Sequence, residues 1–321
     1  MENIFDTASQ ALSKAWVIID SKVDNYQALT AGIIEGAKAF ILDPHRDGIE
    51  QITALLKTAP RRPQSLHIVA HGAPGILYLG EGELSLGSLE SYRTQLATWQ
   101  VQELLLYGCN LAAGDAGEEF LHKLQHYTQA NLAASTYKVG SAALEGRWHL
   151  NVQLGAVKSA IAFEVATQAQ YPAVFAISLT QTNDADTLLT TLLGTTAGLS
   201  NIQATVTGAP EAFGTFTNAP FDFTSGVVLS TGVVNDLAGP NEAGDTGSVV
   251  SGDRSGITLD IDFDVDPNLV DASVFFSFVF GSEEFPEFAG QAFNDAFELQ
   301  LNGVNLAFLN DGQPVTINNL A

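Results

Sequence analysis

Ser65-Leu-His-Ile-Val-Ala-His-Gly72 is the stretch that decides how the first half of this 321-residue chain is read. Leu66–Ala70 is a short apolar run, as a buried strand requires, and it stops at His71-Gly72. A second block has the same form: Glu103-Leu-Leu-Leu-Tyr107 is followed by Gly108-Cys109. Outward from these two, Trp16–Asp20, Ala39–Asp43 and Leu132–Ser135 also read as strands, and Arg147–Gln153 alternates as a late one. Helical patterns lie between them at Asn25–Ile34, Gly48–Lys57, Leu89–Trp99 and Asp115–Tyr127. Asp115 and Glu118 suggest a capping box at the start of the last helix. Ile76–Leu79 and Glu83–Leu86 suggest a hairpin around Gly80-Glu-Gly82. Repeated βα units predict a mostly parallel sheet covered by helices, with its sites at the carboxyl ends of the strands.

Composition excludes several classes. Hydrophobic residues make up 46% and charged residues 15%, so the chain is not a charged disordered polymer. The net charge of −23 argues against nucleic-acid binding, which needs a basic footprint, and against anionic lipid surfaces. No run of eighteen apolar residues occurs, so no membrane insertion is expected. One cysteine rules out an internal disulfide framework. The charge is uneven: residues 1–174 hold 12 of the 13 basic residues and 17 acidic ones, and residues 175–321 hold Arg254 against 19 acidic ones. All six histidines lie at or before His149. That shift marks a domain boundary, with 156–176 as a connector. Met1-Glu-Asn-Ile-Phe-Asp6 has no basic n-region, so it does not read as a secretory signal.

The chemistry-bearing residues sit at strand ends. If the two blocks are neighbouring strands, His71 and Cys109 project toward one crevice. A thiol near an imidazole is the minimum for nucleophilic cysteine chemistry: the thiolate attacks, and the histidine moves the proton. Gly72 lets a backbone N–H approach a substrate oxygen, and Gly108 permits a tight exit from the strand. The opposing reading is that Cys109 is a small buried hydrophobe. Asp115, Glu118 and Glu119 fit either a basic substrate side chain or a solvated helix start. His122 and His126 are four apart on one helix but lack the glutamate of a zinc-peptidase motif, so they read as a solvated face.

The paired blocks resemble the signature of the caspase-like cysteine peptidase clan. The longer stretches His71–Leu86 and Tyr107–Leu121 resemble the uncharacterised caspase-like domain at the front of large bacterial surface and secreted proteins. The resemblance spans about residues 14–155. It implies Cys109 as nucleophile, His71 as base, and the backbone N–H groups of Gly72 and Cys109 as an oxyanion hole. It assigns His67 no role, so a packed or capping residue is expected there.

The second half is rich in Gly, Thr, Asn, Val and Phe, with frequent turn signals, and reads as an all-β sandwich or jelly roll. Strands are expected at Gly226–Ser230, Ile257–Phe263, Val274–Phe280 and Phe293–Leu301, and a helix at Ala185–Leu193. Ser225–Asp236 and Phe275–Gly303 resemble the choice-of-anchor L domain of bacterial surface proteins, over residues 177–321. That resemblance implies an extracellular β module without known enzymatic activity, here expected to be truncated at its C-terminus. Asp260, Asp262, Asp264 and Asp266 alternate along one strand face, roughly 7 Å apart. Calcium is the cofactor such oxygen ligands favour, with Glu284, Asn294 and Asp295 the likelier ligands, against a merely solvated acidic face.

The functional expectation is a cysteine endopeptidase with a His71/Cys109 dyad and no catalytic cofactor. Its substrate is a protein or peptide, its own parent chain included, and its setting is the cell surface or beyond, reached without an N-terminal signal peptide. A cytoplasmic setting stays open. The rival expectation is a non-catalytic adhesion or interaction protein on a caspase-like scaffold.

Overall fold

The computed structural model of the chain describes residues 14–194, 196, 198–221, 223–238, 256–268, 273, 275–282, 289–292 and 294–320. They fall into two compact units, 1–267 and 268–321.

The first unit opens with β1 (Ala15–Asp20), β2 (Ala37–Leu42) and β3 (Ser65–Val69). A three-stranded antiparallel ribbon follows: β4 (Gly72–Ala73), β5 (Ile76–Leu79) and β6 (Gly82–Ser85). Then come β7 (Glu103–Tyr107), β8 (Asn131–Ala134) and β9 (Val152–Leu154). The principal sheet runs β2-β1-β3-β7-β8-β9, and every neighbouring pair is parallel except β8 with β9. The strand order reverses at β1, so the crevice outside the carboxyl ends of β1 and β3 is the topological switch point, where sites gather in such sheets.

Both faces of this sheet are covered, which explains its continuous apolar runs. Ile18, Ile68, Leu104 and Leu106 point into one core, with Ile49, Ile52, Phe120 and Leu124. These four belong to helices whose register along the chain suits that face. Helices α1 (Tyr26–Ala31), α2 (Gly48–Thr58), α3 (Arg93–Ala97) and α4 (Gly114–Thr128) lie between these strands. Asp47 caps α2 by accepting a hydrogen bond from the Glu50 N–H at 2.8 Å. The capping box expected on α4 does not form. Ala113 occupies the cap position without a side-chain bond, and Asp115 and Glu118 lie exposed inside the helix. A Cβ at Gly117 would stand 2.5 Å from the Ala112 carbonyl carbon, so this helix turns tightly against its own entry loop.

The opposite face holds Val17, Ile19, Val69, Leu105 and Tyr107 against Trp148, Phe163, Tyr171 and Phe175. The stretch 156–176, expected as a connector, supplies three of those rings and the helix α5 (Val165–Gln170). Glu103 fastens its start, accepting the Lys158 and Ser159 N–H groups at 2.9 and 2.8 Å. Phe163 stacks edge-on to Tyr107 at 5.7 Å and tilts against Trp148 at 5.2 Å.

Beyond it lie β10 (Ser178–Gln181), α6 (Ala185–Leu192), β11 (Leu199–Thr207), β12 (Phe213–Thr217), β13 (Gly226–Leu229) and β14 (Thr258–Val265). They make a three-stranded sheet β10-β12-β13 and a pair β11-β14, both antiparallel. Leu188 of α6 is buried with Ala212 and Phe213. The second unit contains β15 (Ala296–Phe297), β16 (Gln300–Leu301), β17 (Val304–Asn305) and β18 (Val315–Thr316), paired as β15-β18 and β16-β17, and a last turn of helix, α7 (Ile317–Leu320). This half is thus β-rich, with several small antiparallel sheets among the described residues. Of the strand expected at Val274–Phe280, Val274 lies outside the described residues and 275–280 forms no ladder. The segment instead places the Phe278 ring 4.6 Å from that of Phe297.

Phe163→Ala tests whether 156–176 belongs to the fold. Removing this buried ring is expected to cost about 3–5 kcal/mol in urea unfolding. A change within about 0.5 kcal/mol, as for a surface linker, contradicts the packing described.

Candidate functional site

β3 and β7 are neighbours with Val69 registered on Tyr107, so His71 and Cys109 stand two residues beyond the same rung. The two exits pack backbone to backbone. A Cβ on Gly72 would lie 2.8 Å from the Gly108 Cα and 3.0 Å from the Cys109 nitrogen, and one on Gly108 would strike the Leu77 side chain at 2.7 Å. Gly72 is therefore required by close approach to backbone, a Cβ on Gly108 would have to displace the end of Leu77, and neither glycine has a positive φ. Asn110 makes the turn after the cysteine, with φ 54°.

This approach aims two amides at one point. The Gly72 and Cys109 N–H groups both donate to the Phe175 carbonyl oxygen, at 3.0 and 3.2 Å. A pair of backbone donors on one oxygen is the geometry that stabilises an oxyanion in acyl transfer. Phe175 is brought there by a short antiparallel contact with the segment after β8. Its N–H donates to the Val139 carbonyl at 3.0 Å, Gly140 and Val174 form a bridge, and Ser141 donates to the Ala173 carbonyl at 2.8 Å. Gly140 must be glycine, because a Cβ would lie 2.4 Å from the Ala173 oxygen and φ is +129°. The Phe175 ring is fully buried against Trp148 and Tyr171, at 5.7 and 5.4 Å.

The imidazole and the thiol follow these two strand ends, and each has its own backbone partner, Lys22 for His71 and Val139 for Cys109. His71 Nε2 lies 3.2 Å from the Lys22 carbonyl, which can only accept, so Nε2 carries the proton in the neutral ring. Nδ1 then presents a lone pair, and it is buried without a hydrogen-bond partner. Burial pushes the His71 pKa down; the Lys22 carbonyl and the charges of Asp20 and Asp24 pull it partly back. The Cys109 sulfur accepts the Val139 N–H at 3.0 Å. Burial pushes its pKa up to about 12, against smaller opposing pulls from the Val139 and Phe175 backbone. The thiol itself donates to the Val139 carbonyl at 3.5 Å, and thiol and imidazole both rest uncharged.

Asp20 was not singled out from the sequence. It ends β1, is buried, and accepts the Gly80 N–H at 2.5 Å and the Lys22 N–H at 2.8 Å. Burial raises its pKa despite these donors. It fixes the Lys22 turn whose carbonyl orients His71. Its one signal was an acid closing the apolar run Val17–Ile19. His67 is a packed residue, as expected, between Tyr107 Oη and Ser65 Oγ at 3.1 Å each, and burial lowers its pKa to about 4. A cleft of about 460 Å³ opens nearby, lined by Ser21, Lys22, Asp24, Tyr26, His45 and Phe221; neither His71 nor Cys109 reaches it.

Several other candidates have local partners of their own. Glu118 and Glu119 pair with His122 and Lys123 on their own helix, at 3.9 and 2.7 Å. Asp260, Asp262 and Asp264 share the exposed face of β14, opposite the uncharged Thr205, Gln203 and Ser200. Asn294 Oδ1 accepts the Asn318 N–H at 3.0 Å, and Asp295 Oδ2 accepts the Ser282 hydroxyl at 2.9 Å. Glu284 lies outside the described residues. Among the described residues no three His, Cys, Asp or Glu side chains gather as a metal site.

Residues 16–175 match the family model of a domain of unknown function (DUF4347), and residues 176–321 match that of the choice-of-anchor L domain. The chain carries a DUF4347 domain followed by a choice-of-anchor L domain. No curated protein and no solved structure matches it. The paired amides thus belong to the DUF4347 domain, and the carbonyl they hold is that of its last matched residue. Among the described residues no helix is long and apolar enough to cross a membrane.

The thiol geometry sets a reactivity. Alkylation of native Cys109 at neutral pH is expected to run about 10³-fold slower than in the urea-unfolded chain, because so raised a pKa leaves that much less thiolate. The native rate is expected to climb with pH through the ordinary thiol range without levelling. A plateau there, or equal native and unfolded rates, contradicts the buried thiol.

Proposed function

We propose that the DUF4347 domain is a caspase-like cysteine-peptidase module that hydrolyses peptide bonds, its parent chain's included. One observation carries the reading: two backbone amides, from Gly72 and Cys109, converge on a peptide carbonyl beside a thiol. The unpartnered Nδ1 of His71 supports it, since a buried acceptor kept without a donor, at a cost in stability, is the state a general base requires. Cys109 is the nucleophile, His71 the base and then the acid, and the two amides hold the oxyanion. The resting state is latent, because a neutral thiol and a filled amide pair admit no outside substrate.

The second reading is a non-catalytic scaffold in a surface or interaction protein. The full burial of Cys109 and its raised pKa favour it. In either reading the choice-of-anchor L match supports a cell-surface or extracellular setting.

The test is a peptide library digested by the full chain across urea concentrations below the unfolding transition, which loosen the cover. Hydrolysis is expected, and Cys109→Ala is expected to lower its rate at least about 10³-fold. The lowered His71 pKa keeps the imidazole neutral at neutral pH. The acid limb of the rate profile is therefore expected below the ordinary histidine value of about 6.5. No hydrolysis at any urea concentration, or undiminished hydrolysis by Cys109→Ala, rejects the peptidase reading.

A further inference from the structure

The segment that fills the amide pair is held in the way an enzyme holds a substrate. Ala173–Phe175 runs antiparallel to Val139–Ser141, which is strand addition, the common mode of peptide recognition. The Phe175 ring is fully buried in an aromatic pocket formed with Trp148 and Tyr171, as a specificity pocket would take an anchor side chain. The Phe175 carbonyl oxygen takes both amides, and Val139, which accepts the Phe175 N–H, also donates its own N–H to the Cys109 sulfur. A neutral peptide carbonyl needs one donor; two donors on one oxygen are worth more once that oxygen carries charge.

We propose that the peptide bond between Phe175 and Ala176 is the substrate of this site, so that the chain cuts itself between its DUF4347 and choice-of-anchor L domains. The proposal rests on the cysteine-peptidase reading and names the bond that activity acts on. His71 Nδ1 takes the thiol proton, and the sulfur electron pair forms a bond to the Phe175 carbonyl carbon. The carbonyl π pair moves to the oxygen, where the Gly72 and Cys109 amides hold the charge. The intermediate collapses, the bond to the Ala176 nitrogen breaks with its electron pair on nitrogen, and the imidazolium supplies that nitrogen's proton. Water then adds to the thioester with His71 as base, and the Cys109 sulfur leaves and regains a proton. One water is consumed, and the products are a Phe175 carboxylate and an Ala176 amine. No oxidant or cofactor enters.

Holding the bond in place converts the reaction into a unimolecular one, which explains how a site closed to outside peptides still acts on its own chain. It also assigns the specificity: an aromatic residue before the cut, selected by the pocket that Trp148 and Tyr171 line.

The experiment follows the full chain by intact mass and N-terminal sequencing, in buffer and in urea below the unfolding transition, at several protein concentrations. The expected result is a fragment beginning Ala176-Ile-Ser-Leu179, formed at a rate independent of concentration. Cys109→Ala and Cys109→Ser, each shown by circular dichroism to be folded, are expected to slow it at least about 10³-fold. An uncut chain, a cut at another bond, or the same cut in both variants overturns the proposal. If the peptide library is hydrolysed while Phe175–Ala176 stays whole, the self-cutting proposal fails and the peptidase reading survives; if neither is cut, both fail.

Discussion

Two backbone amides on the Phe175 carbonyl are the constraint from which the rest of the site follows. They can meet there only because β3 and β7 leave the sheet with Gly72 against Gly108, at a separation that leaves no room for a Cβ on Gly72. The carbonyl can reach them only because 173–175 pairs with 139–141, again across a glycine, Gly140. The aromatic cluster of Trp148, Phe163, Tyr171 and Phe175 then covers the sheet face, and both imidazole and thiol are buried. Site and core are thus one construction, and a change to either is felt by both.

Burial also decides the protonation state. An imidazole in this cover loses more by charging than Asp20 and Asp24 return to it, and a thiol loses more by ionising than its backbone neighbours return. Both groups rest uncharged. Such an environment disfavours a standing thiolate–imidazolium pair.

The parallel sheet was legible because strands buried on both faces must be apolar at every position, and Leu66–Ala70 and Glu103–Tyr107 are nearly so. The strand-end placement of His71 and Cys109 followed from the same runs. Phe175 was not legible: its part is played by a carbonyl oxygen, which every residue has, and a short stretch of 156–176 looks like any connector until its rings are seen in the core. Asp20 was hidden for a related reason, since it acts through the Lys22 carbonyl. The cap of α4 misled because Asp115 and Glu118 have the right spacing, but Gly117 against Ala112 sets the helix start by packing. In the second half, turn-rich sequence and short ladders mark β structure without fixing which strands pair, and on β14 the aspartate row stands opposite uncharged partners.

The central claim is that both amides bind the one carbonyl in solution. The direct measurement is scalar coupling across the hydrogen bonds, by NMR of the deuterated, isotope-labelled Cys109→Ala chain, in which the bond stays whole. The account predicts coupling from the amide nitrogens of Gly72 and of residue 109 to the same carbonyl carbon, that of Phe175. Coupling from only one of them, coupling to a different carbonyl, or rapid solvent exchange of both amides would contradict it.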